Sequence, residues 1–309
     1  MNNKSHNIIR RPFTVDKIIV DGNALAFRSL FSHEMLSVEI NNKIIYTGIA
    51  YGFIKMLLAV KKSVKPKKFI VTWDGGCDGK KAIYPQYKEG RHIQREGMNF
   101  DDIIASLKYC RDILGYAGIE QIRTKGEEAD DIISTIVKND KEHNYIILTN
   151  DHDLLQLLDL SNVRVLRMTA KDTEFWNREK FIKKFGFEPK FYPHFMSVVG
   201  DKTDNIPGIK GIGEKTASMI FKQLSIPNLI NLYANIDLIK VTDNVRNKLK
   251  SGKDDAFKFL KIIELKKDAD IEKSIKSKKD HHKLMFVFNE LKFNSILRSS
   301  KDMLLINDL

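Results

Sequence analysis

Cysteine is nearly absent: the chain of 309 residues holds two, Cys77 and Cys110. They lie far apart and form no metal-ligand spacing, which excludes a disulfide framework and a thiolate zinc site. Long apolar runs are missing too. No stretch approaches the roughly 20 residues that span a bilayer, so no membrane partner is expected. The opening MNNKSHNIIRRPF has basic residues but no apolar centre, which excludes a secretory signal. Internal repeats and low-complexity tracts are also missing. A reduced, cytoplasmic setting is expected.

What is present is positive charge in excess and enough hydrophobicity for a core. Net charge is +12 and hydrophobic residues make up 42%. Excess positive charge favours a polyanion, above all nucleic acid. Yet the most distinctive motifs are acidic. A basic protein with carboxylates gathered locally is what a metal-dependent enzyme acting on nucleic acid requires.

The first half alternates short apolar runs with amphipathic stretches. KIIVDGN (17–23) and FIVTWDGG (69–76) each read as a strand ending at an acid. NYIILTN leads from a third strand into a turn and helix, and NVRVLRM reads as a fourth strand. YGFIKMLLAVKKS, FDDIIASLKYCRDILGYAG and ADDIISTIVKND have helical spacing between them. Such alternation predicts an α/β fold with a mixed, mostly parallel sheet. After about residue 175 lysine-rich helical patterns dominate. The expected division is 1–190 for the α/β part and 191–309 for a helical part. The lysines of 241–284 read mainly as solvated helix faces.

Three strands end in aspartate: at Asp21, at Asp74 and at the pair Asp151 and Asp153. Ligands bind beyond the carboxyl ends of parallel strands, so these acids should converge. Glu127, Glu128, Asp130 and Asp131 open a helix. Complementing the helix dipole accounts for one of them, but not for the dense remainder. Asp201 and Asp204, three apart, share a face if a helical turn spans them. Crowded carboxylates repel and resist ionisation unless a cation intervenes. Oxygen ligands with no histidine or cysteine nearby select magnesium or manganese over zinc. Nine carboxylates, leaving Glu127 aside, exceed what one ion uses. Two ions clamping the attacking and leaving oxygens of a phosphodiester would use them.

IPGIKGIGEKTASMI follows the last acid pair. Gly208, Gly211 and Gly213 let the backbone approach a ligand without Cβ interference. Ile209 and Ile212 anchor the turn, and Lys210 and Lys215 add charge. The next helix presents free amides at its start. This pattern reads as a helix-hairpin-helix grip on a nucleic-acid backbone, against the plain alternative of an ordinary helix connection. DGKKAIYPQYKEGRHIQREGM (78–98) interleaves Lys80, Lys81, Lys88, Arg91 and Arg95 with Tyr84 and Tyr87. Basic residues among aromatics suit single-stranded nucleic acid; a solvated loop is the alternative. Lys88 and Arg91, one helical turn apart, can stabilise charge developing on a phosphate.

The stretches VDGNALAFR, TWDGG, YPQYKEGR, GEEADD, LTNDHDLLQLL, GDKTDNIPGIKGIGEKTA and LMFVFNELKFNSIL resemble, in order, the motifs of the 5′ nuclease (flap endonuclease and 5′–3′ exonuclease) family. The resemblance runs from about residue 17 to 297. It implies a PIN-like fold with a helical arch at about 78–98 and a C-terminal helix-hairpin-helix subdomain. It implies a first-metal cluster of Asp21, Asp74, Glu128, Asp130 and Asp131, and a second of Asp151, Asp153, Asp201 and Asp204. Lys88 and Arg91 match the basic pair of the arch, and Arg28 the arginine after the first motif. Two Mg2+ are implied, with Mn2+ able to substitute, and K+ at the hairpin. The implied partner is DNA with 5′ flaps, nicks or ends, RNA–DNA primers included, bound by a monomer. No polymerase sequence follows Leu309, which leads to the expectation of a free-standing enzyme as in phages and some bacteria; for a phage gene the setting is the host cytoplasm.

Two rivals use the same acids. A PIN-like ribonuclease needs neither the hairpin nor the arch. A non-catalytic DNA-junction binder has no reason to turn nine carboxylates toward a polyanion. An aspartyl-phosphate phosphatase would want a second aspartate two after Asp21, where Asn23 stands.

Overall fold

The computed structural model describes residues 13–33, 36–89, 100–168, 173–271, 275 and 277–307. Its strands are β1 (Lys17–Asp21), β2 (Ser37–Ile40), β3 (Lys43–Tyr46), β4 (Lys68–Trp73), β5 (Glu120–Arg123), β6 (Tyr145–Thr149), β7 (Val163–Met168) and β8 (Thr173–Trp176). Six of them form one sheet in the order β5-β4-β1-β6-β7-β8. β1 lies parallel to both β4 and β6, and only β8, on β7, runs antiparallel. This is the mixed, mostly parallel sheet that the alternating pattern predicts. The four-residue β5 and β8 escape sequence reading because neither carries a run of apolar residues. β2 and β3 form a separate hairpin, turning at Asn41 and Asn42 with φ of 50 and 60°. Asparagine tolerates that left-handed pair, which a two-residue hairpin requires.

The helices are α1 (Gly22–His33), α2 (Gly48–Val64), α3 (Asp78–Ile83), α4 (Phe100–Tyr116), α5 (Ala129–Asn139), α6 (Arg178–Phe185), α7 (Tyr192–Val199), α8 (Glu214–Phe221), α9 (Leu229–Ala234), α10 (Asp243–Ser251), α11 (Lys253–Ile263), α12 (His281–Glu290), α13 (Asn294–Leu297) and α14 (Ser300–Asn307). None is long and apolar enough to cross a membrane. Strand side chains alternate between two cores. Ile18, Val20, Phe69, Val71, Ile146 and Leu148 face one, under α1, α2 and α4. Ile19, Ile70, Ile147, Val163 and Val165 face the other, against α5 and the helices α6 to α11. Near-continuous apolar strands are therefore required, and the chain supplies them.

The helical last third is not one unit. α7 to α11 pack on the α5 side, but Leu284, Val287 and Phe288 of α12, Ile296 of α13 and Phe293 between them pack into the core of α2 and α4. The expected single helical region 191–309 thus splits between the two faces of the sheet. The chain leaves α11 through a short segment, 264–269. It is tied to α5 by Ser134 Oγ donating to the Lys266 carbonyl (2.6 Å) and the Ala269 amide donating to Thr135 Oγ1 (3.0 Å).

A carboxylate pocket as the candidate metal centre

Parallel strands end together, and their ends carry the acids. Asp21 closes β1, Asp74 follows β4, and Asp151 and Asp153 follow β6. Each is fixed by nearby backbone and polar groups. Asp21 accepts from the Ala24 amide (3.0 Å), so it caps α1, and from Thr149 Oγ1 (2.9 Å). Thr149 in turn accepts from the Asp151 amide (2.9 Å), and Asp151 accepts from the Asp153 amide (2.8 Å). Asp74 Oδ1 accepts from the Ala129 amide (2.9 Å) at the start of α5. Its own amide donates to Asn23 Oδ1 (3.1 Å). Asn23, which ruled out a phosphatase, therefore holds a second acid in place.

The loop after α7 brings in Asp201 and Asp204. Asp201 and Ile206 exchange backbone hydrogen bonds of 2.8 and 2.7 Å. The two acids are thus presented by a tight loop, not by a helical turn. A cavity of about 460 Å³ results, lined by Asp21, Asp74, Asp130, Asp151, Asp201 and Asp204, with Asn23, Lys88, Asn150 and His152.

Glu128, Asp131 and Asp153 stand behind that lining. Glu128 is buried and receives Tyr87 Oη (3.1 Å), Lys80 Nζ (2.7 Å) and Lys88 Nζ. Asp131 accepts from the Lys266 amide (3.0 Å). Tyr87 Oη also donates to Asp204 (2.8 Å), and the Lys88 amide donates to the Asp204 carbonyl (3.0 Å). The start of the expected arch is thereby fastened to the hairpin loop. Two expectations need correction here. Lys80 and Tyr87, assigned to a nucleic-acid face, are turned inward, with 7% and 2% of their surface exposed. Their polar ends are drawn in by the buried carboxylates Glu128, Asp131 and Asp204.

The absence of a nearby histidine is also corrected. His152, between Asp151 and Asp153, lines the pocket. Its Nε2 accepts from Arg167 (2.7 Å), and burial, then Arg167, lowers its pKa to about 4. The same guanidinium donates to the Asn150 carbonyl (3.1 Å), so Arg167 secures the whole loop. Sequence reasoning passed over both residues, although the histidine stands inside a quoted motif. Arg167 leaves no trace in the sequence, because its role depends on β7 lying beside β6.

The acids resist ionisation. Burial, then Asp74, pushes Asp21 up to about 8, and burial, then Asp130 and Asp204, pushes Asp151 up to about 7. Burial and Asp151 raise Asp153, and burial raises Asp74 against the opposing charge of Lys88. For Lys80 and Lys88 burial opposes the charge, but Asp130 and Glu128 outweigh it and hold both ammonium groups protonated. Among the described residues no three metal-ligating side chains close around a single point as a finished ligand set. The donor chemistry nevertheless fits a hard cation. Asp153 Oδ1 is fully buried without a hydrogen-bond donor, a state that costs free energy unless something positive meets it.

The other expected residues are scattered. Arg28 Nη1 donates to the Met168 carbonyl (2.7 Å). Lys81 is exposed, whereas the Tyr84 ring packs edge-on against Phe259 of α11 at 5.4 Å. Arg91 and Arg95 lie outside the described residues. Between α7 and α8, Ile209 and Ile212 are buried and Lys210 and Lys215 exposed. Gly208 has φ of 62°, and a Cβ there would lie 2.6 Å from the Val198 carbonyl oxygen. Gly211 has φ of 79°, and its Cβ would meet only the flexible end of Lys248. Nothing lies within 4 Å of a Cβ on Gly213. The fold itself therefore demands glycine at Gly208 and leaves Gly213 open to solvent.

Residues 16–186 match the model of a 5′–3′ exonuclease N-terminal resolvase-like domain, and residues 187–283 that of a 5′–3′ exonuclease C-terminal SAM fold. A 5′–3′ exonuclease of Aquifex aeolicus is 33% identical over 91% of this chain and 93% of its own. DNA polymerase I of Caldicellulosiruptor bescii is 32% identical over 91% of this chain. The chain spans about a third of the length of such polymerases, 33% in that case and 32% for the Bacillus subtilis protein. Among solved structures, the bacteriophage T5 flap endonuclease, in a pseudo-enzyme-product complex with DNA and metal ions, superposes with a TM-score of 0.63. It is 19% identical, and the match covers 95% of this chain and all of that one.

Proposed function

This chain belongs to the 5′–3′ exonuclease family, and we propose that it is a structure-specific 5′–3′ DNA exonuclease and 5′-flap endonuclease that works with divalent metal ions. One observation carries the proposal. The ends of three parallel strands, the start of α5 and the α7–α8 loop deliver six carboxylates to a single pocket. Bound there, two Mg2+ ions, or Mn2+ in their place, would supply Lewis-acid activation of water and charge stabilisation at the phosphate. Asp21, Asp74 and Asp130 would hold one ion, and Asp151, Asp153, Asp201 and Asp204 the other.

The protein's own groups do the remainder. Lys88, at the pocket wall, offers a positive charge to the scissile phosphate, and Arg91 is assigned the same task. The hairpin around Gly208, Gly211 and Gly213 grips duplex backbone, with Lys210 and Lys215 beside it and K+ as its ion. Lys81 and Arg95 track the single strand. The T5 relative was solved with DNA and metal ions, which supports a DNA substrate here. The substrates proposed are 5′ flaps, nicks, ends and RNA–DNA primers, acted on by a monomer. The test is incubation with labelled 5′-flap duplex, blunt duplex and single-stranded RNA, with and without magnesium. The flap should be cut only with metal. Preferred cleavage of the RNA, or no cleavage of any substrate, would overturn the proposal.

A further inference from the structure

We propose that Lys80 is a resident cation of the carboxylate site, a fixed positive charge that takes the place of a metal ion on the Glu128 and Asp131 side and confines divalent ions to the open pocket. This rests on the metal-dependent reading above and redistributes its ligands. Lys80 sits on α3 and is 7% exposed. Its Nζ lies 2.7 Å from Glu128 Oε2, 3.5 Å from Asp131 Oδ2 and 4.0 Å from Asp130 Oδ2. No surface lysine reaching for a phosphate has that environment. A buried ammonium is tolerated only where carboxylates pair with it, and here three do.

The partners are satisfied by the protein itself. Glu128 receives Lys80 and Tyr87 on Oε2 and Lys88 on Oε1. Asp131 receives the Lys266 amide on Oδ1 and Lys80 on Oδ2. Neither lines the cavity, which is bounded by Asp21, Asp74, Asp130, Asp151, Asp201 and Asp204. Contrast Asp153, whose Oδ1 has no donor. The constellation therefore divides. One group is neutralised from within by Lys80, and the other is left for ions from solution. Asp130, within reach of Lys80 and on the pocket wall, is the boundary between them.

The consequence is unusual: removing a positive charge should create a metal site. In the full chain with Lys80→Met, Mn2+ titration followed by electron paramagnetic resonance and calorimetry should show one more bound ion than in the natural protein. The metal-free variant should melt lower than the natural protein, and saturating Mn2+ should narrow that gap. Unchanged stoichiometry together with an unchanged gap would overturn the proposal. If Lys80→Met does not fold, the double variant Lys80→Met, Glu128→Gln decides. The proposal requires it to be more stable than the single variant, because the carboxylate nearest Lys80 no longer stands uncompensated. A double variant as unstable as the single would overturn it. These readouts are independent of cleavage. Failure of the natural chain to cut DNA would instead count against the nuclease reading.

Discussion

The two ends of the central sheet hold aspartates in opposite circumstances. At the amino ends of β1 and β6, Asp16 accepts from Lys67 Nζ (2.7 Å) and the Asn144 amide (3.0 Å). Asp140 accepts from Lys17 Nζ (3.1 Å), Tyr145 Oη (2.5 Å) and His143 Nδ1 (2.8 Å). The Asn144 amide, then Lys67, holds Asp16 below the usual carboxylate range. Burial works against Asp140, but Tyr145, Lys17 and His143 outweigh it and keep it well below that range. Five residues along the same strands, roughly 16 Å away, the carboxylates are pushed the other way. Burial and mutual repulsion raise Asp21, Asp151 and Asp153. Burial and the charge of the donors together separate the ends: Asp16 and Asp140 are half-buried and meet ammonium or imidazole groups, whereas Asp21 is buried and meets only an amide and a hydroxyl, and Asp153 Oδ1 meets no donor. Where a half-buried aspartate meets a positive partner, it is part of the scaffold. Where buried aspartates crowd together with neutral donors alone, the fold is less stable than it need be, and the position is kept for an external cation.

The largest effects should come from removing acids at the crowded end. Asp153→Asn and Asp201→Asn should each abolish or greatly slow cleavage in magnesium, because a misplaced ion forfeits several kcal/mol of transition-state stabilisation. DNA binding should remain largely intact. The comparison adds a second expectation: the metal-free Asp153→Asn protein should melt no lower than the natural one, since a repelling charge has gone. Near natural turnover in both variants would remove the two-metal assignment. A marked fall in metal-free stability would show that Asp153 belongs with the scaffold acids.

The basic pair is next. Lys88→Ala and Arg91→Ala should lower single-turnover cleavage by about 10²-fold or more, the scale of a lost electrostatic clamp, and affinity by much less. Lys88 already faces Glu128 and Asp204, 3.7 Å from the latter. Its charge is therefore part of the crowded end and not of a general basic surface. Unchanged cleavage with weakened binding would reassign it to that surface.

The hairpin lies outside both ends and should affect grip alone. Lys215→Ala should reduce the slope of log K against log salt by roughly 0.9, one phosphate neutralisation on duplex DNA. Calcium in place of magnesium, with cleavage checked to be absent, gives the condition for that titration. An unchanged slope would mean that Lys215 meets no phosphate. Gly211→Val should do more, since its φ of 79° is left-handed and a side chain there would meet only the flexible end of Lys248, away from the acids. Duplex affinity should fall further than single-strand affinity, and equal losses on both would mean the hairpin is no duplex grip.

Much of this site is legible in the sequence for one physical reason. A buried parallel strand is a short apolar run, and the residue after it lies at the ligand edge. KIIVD and FIVTWD therefore declare both the element and the acid. The hairpin is equally plain, because left-handed turns single out glycine. Illegible were the residues whose meaning depends on a neighbour distant in sequence. Lys80 and Tyr87 look like an exposed basic and aromatic loop until Lys80 is seen reaching the start of α5 and Tyr87 bridging Glu128 and Asp204. Arg167 is an ordinary strand residue until β7 is placed beside β6. Glu127, ambiguous at a helix start, proves to pair with Lys266 (2.6 Å) of the segment that follows α11.

The smallest effect is expected at the quiet end, and it is the control for all the others. Asp140→Asn removes a charged acceptor from three side-chain donors far from the pocket. A hydrogen-bonded charged group of this kind contributes about 2 kcal/mol, less to the extent that water reaches it, as it does here. Cleavage rate and metal stoichiometry should be unchanged. The pH dependence has a definite sign. A carboxyl held below its ordinary value when folded stabilises the protein above the unfolded value of about 3.9. That contribution is fully present at neutral pH and is lost as pH falls through the folded value. The gap in melting temperature between natural protein and Asp140→Asn should therefore be full at pH 6 to 7 and shrink below about pH 4. A gap that widened on acidification would mean Asp140 is protonated in the fold, like the acids at the other end. Loss of cleavage at full stability would mean that the two ends of the sheet are not independent.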